Sequence, residues 1–144
     1  MIEIGGNCDI NLFSQGFVLV YFYPKDNTPG CTIESQDFSK LLPEFQKLGI
    51  KVYGVSMDDQ ASHDKFSKEC NLSVDLISDV DGKICNAFGV IGEKINFGKK
   101  YIGINRSTFF LKDGVILNVW KSVKVQNHAQ IVLEKLTNYF NKNK

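Results

Sequence analysis

The chain has 144 residues, 43% of them hydrophobic and 12% aromatic, which is enough to close one buried core and too little for two domains of ordinary size; one domain spanning 1–144 is expected. Lys and Arg number 17 against 16 Asp and Glu, and a formal charge of +1 gives no long-range attraction to nucleic acid or to an acidic membrane. No basic stretch with a following apolar run and cleavage site opens the sequence, and the apolar run from Phe17 to Phe22 falls far short of the roughly 20 residues that span a bilayer, so a soluble, cytoplasmic protein is expected.

In chain order, Phe17 to Tyr23 is rich in β-branched and aromatic residues and stops at Pro24, the pattern of a central strand buried on both faces. After the loop from Pro24 to Gly30, Ile33, Phe38, Leu41, Leu42, Phe45 and Leu48 recur near helical spacing from Thr32 onward. That helix should end at Gly49 and be kinked or split at Pro43. Ile50 to Ser56 reads as a second strand, and Ser62 to Cys70 as a helix with Ser62 as its N-cap. Leu76 to Ser78 is a short strand, Asp81-Gly82 a turn, and Lys83 to Phe88 a short helix stopping at Gly89.

Asp113-Gly114 lies between Arg106 to Leu111 and Val115 to Trp120, the strongest short-range signal for a β-hairpin. An amphipathic helix from about Asn127 to Phe140 closes the chain, with Ile131, Val132, Leu133, Leu136, Tyr139 and Phe140 on its apolar side. Strand, helix, strand, helix, then a hairpin and a terminal helix predict an α/β protein: a thioredoxin-like fold with a central mixed sheet flanked by helices on both faces.

The four cysteines, Cys8, Cys31, Cys70 and Cys85, contain no C-x-x-C pair and form no cluster with histidine at metal-ligand spacing. No metal and no cofactor are expected, with Asp58, Asp59, His63 and His128 read as too dispersed for an ion. Both histidines read as structural or surface residues. Cys31 stands out because a strand-derived loop turns into a helix at its position. First-turn N–H groups lack intrahelical partners, and with the helix dipole they favour a thiolate and can hold an anionic oxygen. Pro24 and Pro29 stiffen this loop, Gly30 permits close backbone approach beside the sulfur, and Thr28 can aim its hydroxyl toward it. A peroxide gripped there could be attacked at one oxygen while fixed donors stabilise charge on the other.

Pro24-x-x-x-Thr28-x-x-Cys31 resembles the active-site signature of the peroxiredoxins. The fuller run Tyr21-Phe-Tyr-Pro-Lys-Asp-Asn-Thr-Pro-Gly-Cys-Thr32 is similar to the bacterioferritin comigratory protein (PrxQ) subfamily. The likeness continues through Gly54-Val-Ser56, Ser62-His63, Leu76 to Asp79, Gly89-Val90, Gly92-Glu-Lys94, Arg106 to Phe109, and Val123 to Val125 with His128. It implies a thiol peroxidase that reduces hydrogen peroxide and organic hydroperoxides, with thioredoxin or a similar dithiol as reductant and the chain acting as a monomer. Carried over by position, Cys31 is the peroxidatic cysteine, Thr28 its hydroxyl partner, Pro24 the proline that shields the sulfur, and Arg106 the arginine that supports thiolate and peroxide. With Gly30 and Thr28, Arg106 would also bind the substrate. Glu34 reads either as the carboxylate orienting Arg106 or as a first-turn dipole partner.

The chain departs from the resemblance at two places. The second cysteine that many PrxQ relatives carry five residues after the first is Gln36 here, and the position at which others place a resolving cysteine aligns with Ser67. Cys70, three residues and so about one helical turn further, is the expected resolving cysteine. A one-cysteine enzyme resolved by an external thiol is the alternative. The family's usual opening segment is also absent ahead of Ile4, which suggests a trimmed first hairpin. Cys85 reads as a core residue and Cys8 as an incidental surface thiol. A thioredoxin-like disulfide oxidoreductase is disfavoured by the missing C-x-x-C partner, and a redox-sensing module that oxidises without turnover is the third reading.

Overall fold

A computed structural model of the chain describes residues 2–142, apart from the side chain of Asn96. Among the described residues, seven strands and four α-helices follow a short 3₁₀ turn at Asn11–Phe13: β1 (Phe17–Phe22), α1 (Pro29–Lys47), β2 (Ile50–Ser56), α2 (Gln60–Glu69), β3 (Asp75–Ser78), α3 (Lys83–Phe88), β4 (Ile91–Asn96), β5 (Lys99–Ile104), β6 (Ser107–Lys112), β7 (Val115–Trp120) and α4 (His128–Lys142). Five strands form one sheet in the order β3-β2-β1-β6-β7, with β1 parallel to β2, β2 parallel to β3, and β6 antiparallel to both β1 and β7. The sequence expectation of a mixed sheet with β1 at its centre is met.

Period-two alternation along β1 splits the core into two layers. Leu19 and Tyr21 join Cys31, Phe38 and Phe45 of α1 and Val132 and Leu136 of α4 on one face. Val18, Val20 and Phe22 join Phe13, Cys85, Phe88 and Phe109 on the other. Tyr21 also fixes α1 to the sheet, because its hydroxyl donates to Ser35 Oγ at 2.9 Å. Its ring lies over the paired residue Gly54, where an added Cβ would come within 2.6 Å of the phenol, so this position of β2 requires glycine.

The strand directions determine where chemistry can gather. The parallel strands β1, β2 and β3 all end at one edge of the sheet, and the antiparallel register pairs Phe22 at the end of β1 with Ser107 at the start of β6. The loop after β1, the loop after β2 and the residue just before β6 therefore meet at the carboxyl ends of the parallel strands, where α/β sheets usually bind ligands.

Several expected boundaries shift. α1 begins at Pro29 rather than Thr32 and passes unbroken through Pro43. The N-cap of α2 is Asp59, whose carboxylate accepts from Ser62 N at 2.8 Å, so Ser62 sits inside the helix with its hydroxyl free for another partner. The hairpin β4–β5 was not anticipated. It turns through Phe97 and Gly98 at φ +52° and +76°, as β6–β7 turns through Asp113 and Gly114 at +49° and +82°. Both match a turn with two left-handed residues, but a phenylalanine in the first position hides the signal that aspartate gives. Among the described residues no helix is long and apolar enough to cross a membrane.

Candidate active site

Thr28 is the residue preceding α1, with Pro29, Gly30 and Cys31 as its first three helical positions, and no side chain caps the helix. Proline suits the first position because its missing N–H would have no partner there, and its fixed φ starts the helix. Cys31 is fully buried.

Arg106, immediately ahead of β6, reaches the sulfur from across the β1–β6 pair. Its Nη2 donates to Cys31 Sγ at 3.1 Å and its Nη1 to Glu34 Oε1 at 2.6 Å. Gly30 leaves room for this approach, since a Cβ there would stand 3.4 Å from Nη2. Burial disfavours the charge of Arg106, but Glu34 and Cys31 more than offset this and hold its pKa above the usual value. Of the two readings of Glu34, the one that pairs it with Arg106 has the contact it requires. Its buried Oε2 has no hydrogen-bond partner. Burial accordingly pushes the Glu34 pKa up to about 7 despite the opposing pull of Arg106.

Thr28 departs from expectation, because its hydroxyl donates backward to the Lys25 carbonyl at 2.9 Å instead of pointing its proton at the sulfur. An i to i−3 bond of this kind closes the loop on itself. Pro24 is half-buried in the bend after Tyr23. Cys70 caps the C-terminal end of α2, half-buried, with its Sγ 3.9 Å from Oδ1 of Asn27 in the same loop. An open polar groove of about 360 Å³, lined by Gln36, Ser39, Cys70 and Ser73 among others, gives this sulfur a route to solvent.

Cys85 is a fully buried core residue, as expected, and burial followed by the nearby Asp79 carboxylate raises its pKa well above the ordinary thiol range. Cys8 is 7% exposed and packs in the core beside Phe13, which corrects its reading as a surface thiol.

The expected separation of Asp58 and His63 is also corrected. The two converge with Asp26, their donor atoms lying within 4.8 Å of one another. Asp26 and His63 were not among the residues singled out for function, although Lys25-Asp26-Asn27 and Ser62-His63 both fall in the stretches that carry the family likeness. His128 is buried against Phe38 and Trp120, with Nε2 2.8 Å from Thr108 Oγ1, and burial pushes its pKa down to about 4.

A profile of the AhpC/TSA family matches residues 3–119. The chain belongs to that family. Peroxiredoxin Bcp of Xanthomonas campestris pv. campestris is 50% identical over 121 residues, covering 83% of this chain and 76% of the relative. A solved structure of the bacterioferritin comigratory protein of Xanthomonas campestris, described in connection with alkyl peroxide reduction, superposes with TM-score 0.82 at 47% identity, over 88% of this chain and 81% of that one. A Cys-to-Ser mutant of PrxQ from Xylella fastidiosa gives TM-score 0.90 at 36% identity, covering 96% and 98% of the two chains. The protein is thus a peroxiredoxin with a thioredoxin-type fold, a thiol-dependent peroxidase that uses peroxide substrates and a thiol reductant.

Proposed function

We propose that Cys31 is the attacking thiolate, with Arg106 its charge partner and Glu34 the residue that orients Arg106. The observation carrying this reading is the 3.1 Å contact from Arg106 Nη2 to a sulfur in the first turn of an uncapped helix. The cation and the unpaired first-turn N–H groups both favour negative charge at that point.

In the reaction, the Cys31 sulfur bonds the nearer oxygen of a hydroperoxide as the O–O bond breaks. The sulfur is oxidised by two electrons to a sulfenic acid, and the leaving oxygen departs as water or alcohol after taking up a proton. The rigid guanidinium fork of Arg106 serves sulfur and substrate oxygen together. Gly30 lets the peroxide approach the backbone, Thr28 offers its hydroxyl oxygen, which still has acceptor capacity, and Pro24 shields the sulfur from bulk water.

Cys70 then condenses with the sulfenic acid to give a disulfide and water, and a dithiol such as thioredoxin restores both thiols. What supports Cys70 is its place beside Asn27, four residues before Cys31, and its access to solvent through the groove at Gln36 and Ser73. Cys31 is buried on another helix, so the link requires local opening, for which a first turn without a side-chain cap is suited. The protein so described works as one thioredoxin-like domain, monomeric and cytoplasmic.

Intact mass after one equivalent of peroxide tests the pairing. The wild type should lose two hydrogens, and Cys70→Ser should instead gain one oxygen. A wild type that gains oxygen, or a link mapped to Cys8 or Cys85, replaces this account with resolution by an external thiol.

A further inference from the structure

The segment 24–28 has neither helix nor strand, and its buried side chain is that of Asp26. Asp26 ties together four parts of the fold. Its Oδ1 accepts from Tyr23 Oη at 2.6 Å, and its Oδ2 accepts from Ser62 Oγ at 2.8 Å and lies 2.7 Å from His63 Nδ1. Its own N–H donates to Asp58 Oδ2 at 2.8 Å. His63 extends the connection to β3, where Nε2 lies 3.0 Å from the Ile77 carbonyl oxygen.

The closest neighbours of the ring nitrogens are a carboxylate oxygen at Nδ1 and a carbonyl oxygen at Nε2, both acceptors, an arrangement that favours a proton on each nitrogen. Three donors on Asp26 in turn favour its anion. A charged pair buried to this degree holds its geometry firmly, because losing either partner strands the other's charge.

We infer that His63 is a positioning residue for peroxide reduction: through Asp26 it locks the 24–28 loop onto the first turn of α2, and so sets where the Cys31 turn meets Arg106. Cys31 lies five residues beyond Asp26 on a turn with no cap of its own, whereas the backbone of Arg106 is set separately by its place just ahead of β6. The alignment of sulfur and guanidinium therefore depends on how firmly the loop is held. A misplacement of about 1 Å at a reacting centre costs on the order of a hundredfold in rate.

The lock also has a defined pH dependence. Tyr23, Asp26, Asp58 and the Ile77 carbonyl face the ring from the end of β1, the two loops and β3. Burial alone would lower the pKa of His63, but the hydrogen bond and charge of Asp26, with Ile77 and Asp58, raise it above the usual value. Asp26 shifts the other way: burial would raise it, and the bonds from His63, Tyr23 and Ser62 hold it below the usual carboxylate value. For a base with a raised folded-state pKa, the stabilisation is complete below the ordinary histidine value and is lost as pH rises through the folded one.

This inference rests on Cys31 being the attacking thiolate, and His63→Gln tests it, since glutamine offers no charge and carries both its N–H groups on one nitrogen, where the imidazole meets the two acceptors from two. In single-turnover oxidation by hydrogen peroxide at pH 7, the rate should fall about tenfold, and amide exchange across 24–28 should accelerate. The wild-type rate should decline as pH rises past the raised His63 value, and the variant should lack that decline. A wild-type rate and pH profile in His63→Gln, with Cys31→Ser inactive, would overturn the role of His63. An active Cys31→Ser would instead overturn the Cys31 assignment. If His63→Gln fails to fold by circular dichroism, Ser62→Ala removes one bond to Asp26 and should slow oxidation severalfold; an unchanged rate in that variant likewise overturns the proposal.

Discussion

Cys31 and Cys85 occupy the same place in two different helices. Each is the third residue of its helix, each is fully buried, and each has glycine within the preceding three positions. At α3 the vacant N–H groups are filled from inside the protein: Asp79 accepts from Ile84 N at 2.9 Å and from Cys85 N at 2.8 Å. At α1 no side chain takes that place, and a guanidinium touches the sulfur. The helix terminus is common to both, so what sets the two sulfurs apart is the charge beside each. A carboxylate at the terminus satisfies the donors and opposes a second anion, whereas an arginine leaves the donors available and favours one.

Exchanging or deleting the deciding groups would break or sharpen that contrast. The largest effect belongs to the sulfurs themselves: Cys31→Ser should retain less than about one per cent of the peroxide reduction rate, because a hydroxyl is not ionised by one arginine and a helix end. Cys85→Ser, measured in the same steady-state assay, should stay close to wild type, and comparable losses in the two variants would erase the distinction. Next in size, Arg106→Lys keeps the charge but loses the fork, so single-turnover oxidation of Cys31 should slow by roughly tenfold to a hundredfold. An unchanged second-order rate constant would remove Arg106 from the chemistry. The smallest effect on activity belongs to Asp79→Asn, which should leave peroxide reduction unaltered while costing about 1–3 kcal/mol of stability in denaturant titrations, as one acceptor is lost at a buried helix end. The same variant should bring the raised pKa of the Cys85 thiol down, read from the pH dependence of its alkylation.

How much of this was legible in sequence depended on whether a feature is local. The Cys31 loop could be read because proline, glycine and cysteine sit together, and the Asp113-Gly114 hairpin because its turn residues announce themselves. The β4–β5 hairpin escaped notice because Phe97 adopts a left-handed conformation usually filled by asparagine, aspartate or glycine. Ser62 resembled an N-cap, yet Asp59 three residues earlier caps the helix and Ser62 bonds to Asp26 instead. The pairing of Asp26 with His63 joins residues 37 apart through a parallel crossover, and no periodicity encodes it. Cys8 was misjudged for a similar reason: it is buried by residues distant in sequence, and the Gly114 carbonyl of the β6–β7 turn accepts its N–H at 2.7 Å only after the chain has folded back.

The pairing of β1 with β6 has a consequence for the order in which the chain is made. Cys31 and Arg106 are separated by 75 residues, so the cysteine leaves the ribosome well before the arginine has been added. Until β6 docks along β1, the sulfur lacks the cation that favours its charge, and long-range pairings of this kind close late in folding. If Cys31 is the attacking thiolate proposed above, oxidant sensitivity arrives together with the completed sheet, and the reactivity of Cys31 becomes a chemical reporter of successful folding.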